Sequence, residues 1–400
     1  MPDRRIVVFK FGGTCIVDAA GRGTAAGYCL EAVREGCSLV VVVSAMGRRG
    51  DPYATDTLYD MAPGALPAER DRLLCAGEII AASAMAGELR RVGLEAESLT
   101  GWDAGIATDG VSGDAEIRSI DTSRIRALVE VGRIPVVAGF QGAGPDGAAT
   151  TLGRGGSDTT ALALAAALGA CEAVLFKNVD AIRSADPSII PSAIRIERIS
   201  AEDLRQMSWQ GAGVVHPRAA EIAGEAGVPV VIRNHSSGER VTRIEPFVLR
   251  GGRYVTGVAS GPDVFQVAVE GLPGTGAGRF HADVFGRVAR AGISMDMFSV
   301  MGGAVLFTVP AADAESTASI LSGAFASVRL NGPCSKVSIV GAGMHGLRGV
   351  MARFSGALDA AGVEMLQTAD SHATISALVG RDDRDRALAA LHAEFLEQEE

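Results

Sequence analysis

A lysine followed by two glycines stands near the start of the chain. The stretch KFGG places Lys10 just before Gly12 and Gly13, at the end of an apolar run. A lysine on a buried strand is costly unless it meets an anion, and the glycines allow a phosphate to approach the backbone. These residues predict one part of a phosphate site.

The stretch TTLGRGGSD, from Thr150 to Asp158, precedes a run of helix-forming residues. A helix start offers free N–H groups and the positive end of the helix dipole, and Ser157 and Asp158 are residue types that cap it. Arg154 adds a guanidinium that can pair with an anion. Taken alone, the stretch is either an ordinary capped helix or an anion site that forms a phosphate cradle with Lys10.

Glu78 is an acidic residue within the apolar stretch LLCAGEIIAASAM. Its neighbours three and four positions on are alanines, which favours a buried carboxylate with a partner over an exposed position. Phosphoryl transfer depends mainly on positioning and charge neutralisation, so Lys10, Arg154 and the helix start are suited to it.

Valine-rich runs predict the elements that position these residues. The runs 38–47, 133–142, 172–181 and 228–234 are typical of strands buried on both faces, and helical patterns lie between them. This alternation predicts an α/β fold with a mostly parallel sheet wrapped by helices. Ligands of such folds bind at the carboxyl ends of strands, which here carry Gly12, Gly13, Ser44, Gly139 and Asn178.

After residue 251 the pattern changes to strand, glycine-rich turn, helix and strand, and it occurs twice. We interpret it as two copies of a small α+β module of about 70 residues each.

Composition narrows the class of protein. Hydrophobic residues make up 48% and charged residues 21%, which is typical of a globular protein. The net charge of −10 argues against a nucleic acid or an anionic membrane as the main partner. The N-terminus lacks the pattern of a signal peptide, and the six cysteines are widely spaced without a CxxC motif. We therefore expect a cytoplasmic protein with reduced cysteines.

Several longer stretches together resemble the aspartokinases, members of the amino acid kinase family with ACT modules. They are KFGGTC, LCAGE, GFQGAGPDGAATTLGRGGSDTTALALAAALGA, WQGAGVVHPRAAEIA and QTADSHATISALV. The resemblance covers nearly the whole chain. It implies a three-layer α/β/α kinase domain over 1–245, a first ACT module over 262–330 and a second over 335–400.

The resemblance also implies an activity and its partners. These enzymes transfer the γ-phosphoryl group of ATP, with Mg²⁺, to the side-chain carboxylate of L-aspartate. It further implies a homodimer and an amino-acid effector at the ACT modules, with no tightly bound cofactor and no protein-held metal site.

Site residues follow from the matching motif positions. Lys10 and Asp158 are implied as catalytic, with Lys10 neutralising the phosphoryl group and Asp158 orienting the lysine. The residues implied to bind the amino acid are Thr55, Glu78, Phe140, Thr151, Arg154, Gly155, Gly156 and Ser157. Those assigned to the nucleotide are Gly12, Gly13, Ser44, Lys177, Asn178, Arg183 and Asp186.

The nucleotide stretch KNVDAIRSADPS departs from the family pattern. Here Lys177 replaces a threonine, Asn178 an aspartate, Ala181 a glycine and Ser188 an arginine, Arg183 stands at an aromatic or methionine position, and Asp186 and Pro187 are kept. Downstream, Gly213 replaces a lysine that contacts phosphate in the family. The chain has only three lysines, at 10, 177 and 336. Lys177 either supplies the lost charge or is an ordinary loop lysine, and both interpretations stay open.

The first ACT module is altered as well. It begins with Gly271-Leu-Pro-Gly274, without the family's aspartate, and lacks the usual Gln-Asn after MDM.

Two interpretations of the whole chain stay open. It is either a working kinase with an altered nucleotide site, or a kinase-fold relative with little or no kinase activity. Such a relative would bind amino acids as a regulator or have altered chemistry.

Overall fold

The computed structural model describes residues 5–212, 215–246, 254–272, 276–344 and 346–397. They form two compact units. The first takes its residues from 1–182, 195–205 and 213–249, and the second from 183–194, 206–212 and 250–400. The chain therefore enters the second unit twice before its C-terminal part remains there.

The strands up to residue 246 are β1 (Ile6–Phe11), β2 (Ser38–Val43), β3 (Ala96–Leu99), β4 (Ile106–Thr108), β5 (Ile117–Ile120), β6 (Ile134–Ala138), β7 (Gln141–Ala143), β8 (Ala149–Thr151), β9 (Glu172–Lys177), β10 (Ile182–Arg183), β11 (Arg195–Ile196), β12 (Arg198–Ser200), β13 (Val230–Asn234) and β14 (Arg240–Glu245). The helices are α1 (Ala19–Arg34), α2 (Thr55–Met61), α3 (Pro67–Arg91), α4 (Ser123–Glu130), α5 (Gly156–Leu168), α6 (Ala201–Trp209) and α7 (Pro217–Ala226). A 3-10 helix spans Gly13–Cys15.

The central sheet has the strand order β12-β14-β13-β9-β1-β2-β6-β3. From β13 to β3 the neighbouring strands are parallel, and β14 runs antiparallel to β13. The predicted mostly parallel sheet is confirmed. The four valine-rich runs provide β2, β6, β9 and β13, and the β2 run is buried at every residue because helices cover both faces of the sheet.

The two faces of the sheet have different roles. Phe9 and Phe11 of β1 point into a core formed with α1 and α3. Because side chains alternate along a strand, Lys10 points to the opposite face, which α5 covers. A smaller sheet, with the order β5-β4-β7-β8, leads directly into the loop before α5.

The second unit contains β15 (Gly257–Ser260), β16 (Val264–Glu270), β17 (Asp296–Met301), β18 (Ala304–Pro310), β19 (Ser327–Val340), β20 (Gln367–Asp370) and β21 (Thr374–Gly380). Its helices are α8 (Ala277–Arg290), α9 (Ala314–Leu321), α10 (Val350–Ala360) and α11 (Arg384–His392), with 3-10 helices at Ala311–Asp313 and Arg381–Asp383 and a π-helix at Ala393–Glu397.

One antiparallel sheet joins the two halves of this unit, in the order β17-β18-β16-β19-β21-β20. The first half of β19 pairs with β16, and its second half pairs with β21 and β15. Each half packs its own pair of helices, α8 and α9 or α10 and α11, into a separate core. Within the described ranges, no helix combines the length and the apolar character that crossing a membrane requires.

Candidate active site at the carboxyl ends of the central strands

Two lysines share one carboxylate at the carboxyl end of the central sheet. The Nζ of Lys10 lies 2.7 Å from Oδ1 of Asp158, and the Nζ of Lys177 lies 2.7 Å from Oδ2. The register explains the meeting, because Lys10 pairs with Leu175, and Lys177 lies two residues further along β9, on the same face. Asp158, in the first turn of α5, lies on that face between the two cations.

The electrostatic state of Asp158 follows from these contacts. Burial alone would raise the pKa of the Asp158 carboxyl, but the charges of Lys10 and Lys177 and the hydrogen bonds that they donate lower it well below its ordinary value. Asp158 therefore stays ionised at any physiological pH. Each ammonium has three N–H donors, so a bond to Asp158 leaves donors for an anion.

The expected cap of the next helix is different in the structure. Helix α5 begins at Gly156, and its N-cap is Gly155 in the left-handed conformation (φ 71°), without a side-chain cap bond. Ser157 and Asp158 lie inside the first turn, so the prediction that they cap the helix is wrong. A Cβ at Gly155 would lie 2.2 Å from Cβ of His216, so position 155 requires glycine for both its conformation and its packing.

An open cleft of about 650 Å³ lies beside this cluster. It brings together the predicted residues Lys10, Ser44, Thr55, Glu78, Phe140, Thr151, Arg154, Gly155, Gly156, Ser157 and Asp158. These residues come from β1, β8, α2, α3, α5 and the segments that follow β2, β6 and β8. Sequence positions up to 148 residues apart therefore line one space.

Glu78 is buried at the cleft, with 2% of its surface exposed. Burial raises its pKa to about 8, although a backbone hydrogen bond from Ala45, the charge of Lys10 and the hydroxyl of Ser157 act in the opposite direction. The Ser157 hydroxyl donates to Glu78 Oε2 at 3.5 Å. Glu78 is therefore mostly protonated at neutral pH in the protein without a ligand, and a nearby positive charge would favour its ionised form.

Arg154 lies within the glycine loop, and the ring of Phe140 packs against Gly156 at the end of that loop. Arg154 is exposed, and no acidic side chain in the described part of the chain lies within ion-pair distance of its guanidinium. Phe140 has a positive φ of 68°, a strained conformation for a residue with a side chain. Its N–H donates to Thr160 Oγ1 at 3.0 Å and its carbonyl accepts from Leu152 N–H at 2.9 Å, which holds the strained turn in place.

The residues predicted to bind the nucleotide belong to two different units of the structure, and Gly12, Gly13 and Asn178 lie in the first. The N–H of Gly12 donates to the carbonyl of Phe176 at 3.4 Å, and a Cβ at Gly13 would lie 2.1 Å from the carbonyl oxygen of Ala45. Asn178 donates to the carbonyl and hydroxyl of Thr14 at 3.3 Å, which ties β9 to the 3-10 helix after β1. Packing alone therefore explains Gly13, and its contact with phosphate stays a prediction.

Arg183 and Asp186 belong to the second unit. The guanidinium of Arg183 donates to the carbonyl of Ala193 at 2.7 Å, and Asp186 accepts from the N–H and hydroxyl of Ser188 at 2.9 and 2.7 Å. Their assignment to the nucleotide also stays a prediction. Gly213, where we expect the family to carry a lysine, lies outside the described residues.

Sequence reasoning missed several residues of the cleft. Asp71 is buried on α3 and binds Thr151, and Arg70 places its guanidinium 4.6 Å above the ring of Tyr59. Gly113, in the segment after β4, also lines the cleft. Helical spacing could have indicated Asp71, because it precedes Glu78 by seven residues, two turns of one helix face.

A metal ion held by protein side chains requires several acidic, histidine or cysteine groups arranged around one point. Among the described residues, no group of three or more His, Cys, Asp or Glu side chains is arranged to hold an ion. Both oxygens of Asp158 are engaged by lysines.

Comparisons with known proteins agree with this architecture. Residues 5–234 match the amino acid kinase family, and residues 329–393 match the ACT domain. The chain is 38% identical to aspartokinase 1 of Bacillus subtilis, with 98% of this chain and 99% of the relative covered. It is 36% identical to the aspartokinase of Geobacillus stearothermophilus, with 98% and 97% covered.

Solved structures show the same fold. The crystal structure of E. coli aspartokinase III in complex with aspartate and ADP has a TM-score of 0.79 at 23% identity, covering 98% of this chain and all of that one. Aspartate kinase from Synechocystis has a TM-score of 0.54 at 30% identity, covering 98% of this chain and 69% of that one. The sequence resemblance is confirmed, and the chain belongs to the aspartokinases of the amino acid kinase family.

Proposed function

We propose that this chain transfers the γ-phosphoryl group of ATP to the side-chain carboxylate of L-aspartate, producing 4-phospho-L-aspartate and ADP. The observation that carries the proposal is the pair of lysines that share Asp158 beside a cleft lined by Arg154, which has no ion-pair partner among the described residues. Full-length relatives named aspartokinase support the same substrates.

Arg154 gives the cleft its affinity for a carboxylate. A guanidinium binds a carboxylate through two parallel hydrogen bonds, and Arg154 has no competing acidic partner in the described residues. Glu78 is the counter-charge for the substrate ammonium, because the ammonium would restore the ionised form that burial disfavours. Ser157 and Thr55 complete the polar lining.

Lys10 and Lys177 neutralise the transferring group. A carboxylate oxygen of aspartate forms a bond to the γ-phosphorus while the bond to the ADP oxygen breaks, so no proton has to move. Negative charge passes to ADP during this step, and two ammonium groups fixed by Asp158 need no reorganisation to meet it. Mg²⁺ bound to the ATP phosphates would offset further charge.

The altered nucleotide segment KNVDAIRSADPS favours one alternative function. In this alternative the protein is a regulator that binds amino acids and has little or no kinase activity. Lys177 and Asn178 replace the family's threonine and aspartate, and both are engaged in contacts within the protein. Aspartate binding without ATP binding, each measured by calorimetry, would support this alternative.

The proposal is tested by trapping the product. Purified protein with L-aspartate, ATP and Mg²⁺ is expected to form an acyl phosphate that hydroxylamine converts to aspartyl hydroxamate. Omission of aspartate is the control. A protein that binds both substrates but forms no hydroxamate would contradict the proposed reaction.

We also propose weak regulation by lysine and threonine, and a homodimer. The hairpin of β17 and β18 turns at Gly302 and Gly303 without the family's Gln-Asn, and Gly274 lies outside the described residues. Hydroxamate formation is expected to change less than twofold with millimolar lysine or threonine, and strong inhibition would refute this.

For the proposed homodimer, light scattering is expected to give a mass of twice the 41.1 kDa of the chain.

A further inference from the structure

Helix α3 contacts both ends of the loop that carries Arg154. Near the middle of the helix, Glu78 accepts from Ser157, just after the loop. Two turns earlier, Asp71 accepts from the hydroxyl of Thr151, just before it, at 2.7 Å. The two carboxylates lie on one face of α3 because seven residues make nearly two full turns, about 10 Å along the axis.

Asp71 also binds a third segment. Its Oδ2 accepts from the backbone N–H of Gly113 at 3.1 Å. The same segment returns to Thr151, because the N–H of Ala115 donates to the Thr151 carbonyl at 2.8 Å. A Cβ at Gly153 would lie 2.5 Å from Oδ1 of Asp114, so the glycine loop packs closely on this segment.

The carboxylate of Asp71 is buried without a charged partner. It is 1% exposed, and no lysine, arginine or histidine of the described residues lies within ion-pair distance of it. A buried carboxylate that is held by two neutral donors is costly, and simple packing could be achieved with an apolar residue. Thr151 is itself fully buried, so the pair lies at the cleft with almost none of its own surface exposed.

We propose that Asp71 is a positioning residue for aspartate binding. It acts through Thr151 and Gly113, fixing the start of the 152–156 loop so that Arg154 is held ready for the substrate carboxylate. This inference rests on the aspartate-binding role proposed above. Its effect falls on the amino acid rather than on ATP, because neither Asp71 nor Thr151 contacts Lys10 or Lys177.

The variant Asp71→Asn keeps the shape of the side chain but replaces one carboxylate oxygen by an NH₂ group. The amide oxygen can accept one of the two hydrogen bonds from Thr151 and Gly113, and the NH₂ group cannot accept the other. We expect the KM for aspartate to rise about tenfold, while kcat and the KM for ATP stay within threefold. Thr151→Val removes the other partner and is expected to show the same split. The double variant is expected to match either single variant within twofold, because both changes break one contact.

Asp203→Asn is the matched control. Asp203 is also a buried aspartate that accepts from a hydroxyl, that of Ser200 at 2.7 Å, but it does not line the cleft. It is expected to change thermal stability without changing the KM for aspartate. If Asp71→Asn does not fold, Thr151→Val is measured instead, and an unchanged KM for aspartate in that variant still overturns the inference.

An unchanged KM for aspartate in Asp71→Asn or Thr151→Val would overturn the inference, as would an equal rise in the KM for ATP. Failure of the proposed reaction gives a different result. If the wild-type protein binds aspartate but forms no hydroxamate, the proposed reaction is wrong. The inference about Asp71 is then tested by the dissociation constant for aspartate in the same variants. A wild type that binds no aspartate overturns both.

Discussion

The ends of strands β1 and β9 carry the same kind of residue in different sequence contexts. Lys10 lies in the KFGG stretch, whereas Lys177 lies in KNVDAIRSADPS, the stretch that we expect to depart from the family pattern. Both reach Asp158 at 2.7 Å, with 8% and 18% of their side chains exposed. The register of the parallel strands brings residues at the same strand end together, so two cations from neighbouring strands meet one carboxylate.

Removing Lys10 is expected to have the largest effect. In Lys10→Ala the transferring phosphoryl group loses its more deeply buried cation, and we expect kcat to fall by about a thousandfold, as for other preorganised charge stabilisers. Product trapping with hydroxylamine measures it. Lys336→Ala removes the same charge in the second unit, from a pair with Asp296, and should leave kcat unchanged.

Arg154→Ala tests the other side of the cleft. Loss of a two-point charged clamp is expected to weaken aspartate binding by about 2–4 kcal/mol. Arg154→Lys keeps the charge but not the fork, and should bind with intermediate affinity. Calorimetry with aspartate provides the measurement, and an unchanged affinity in the alanine variant would remove Arg154 from the site.

The variant Lys177→Ala tests whether Lys177 contributes to phosphoryl transfer in addition to Lys10. If both neutralise phosphate, we expect kcat/KM for ATP to fall about tenfold, equivalent to about 1.4 kcal/mol of transition-state stabilisation. The KM for aspartate should change little. Normal ATP turnover in this variant would show that Lys177 only balances the charge of Asp158.

The smallest expected effect concerns pH. Burial raises the pKa of Glu78 to about 8, so the group is neutral below that pH and ionised above it. Because an ionised Glu78 attracts the substrate ammonium, the KM for aspartate should fall about fivefold between pH 6.5 and 8.5. Glu78→Gln should flatten this dependence, and an equal slope in both proteins would assign it to another group.

The central sheet was predictable because its signals are local. Four valine-rich runs identify β2, β6, β9 and β13, and the alternation with helices predicts parallel pairing. The small sheet of β4, β5, β7 and β8 was missed because its strands have three or four residues and lack such runs. Short strands of this kind are defined by tertiary pairing rather than by propensity.

The site was only partly predictable from sequence. Residue types singled out Lys10, Arg154 and Glu78, but the start of α5 was misplaced because a left-handed Gly155 begins the helix in place of a side-chain cap. Asp71 was missed because its partners, Thr151 and Gly113, are 80 and 42 residues away. Contacts at such separations depend on the folded sheet, which a single sequence does not show.

The most direct test moves the second lysine of the proposed phosphate site from position 177 to position 213. Lys177→Thr introduces the residue that we expect from the family pattern and removes the charge. The double variant Lys177→Thr/Gly213→Lys adds a lysine at position 213, where we expect the family to carry one. We predict that kcat/KM for ATP falls about tenfold in the single variant and recovers to within threefold of wild type in the double variant. A single variant with wild-type turnover, or a double variant without recovery, would contradict the claim that Lys177 supplies the charge missing at position 213.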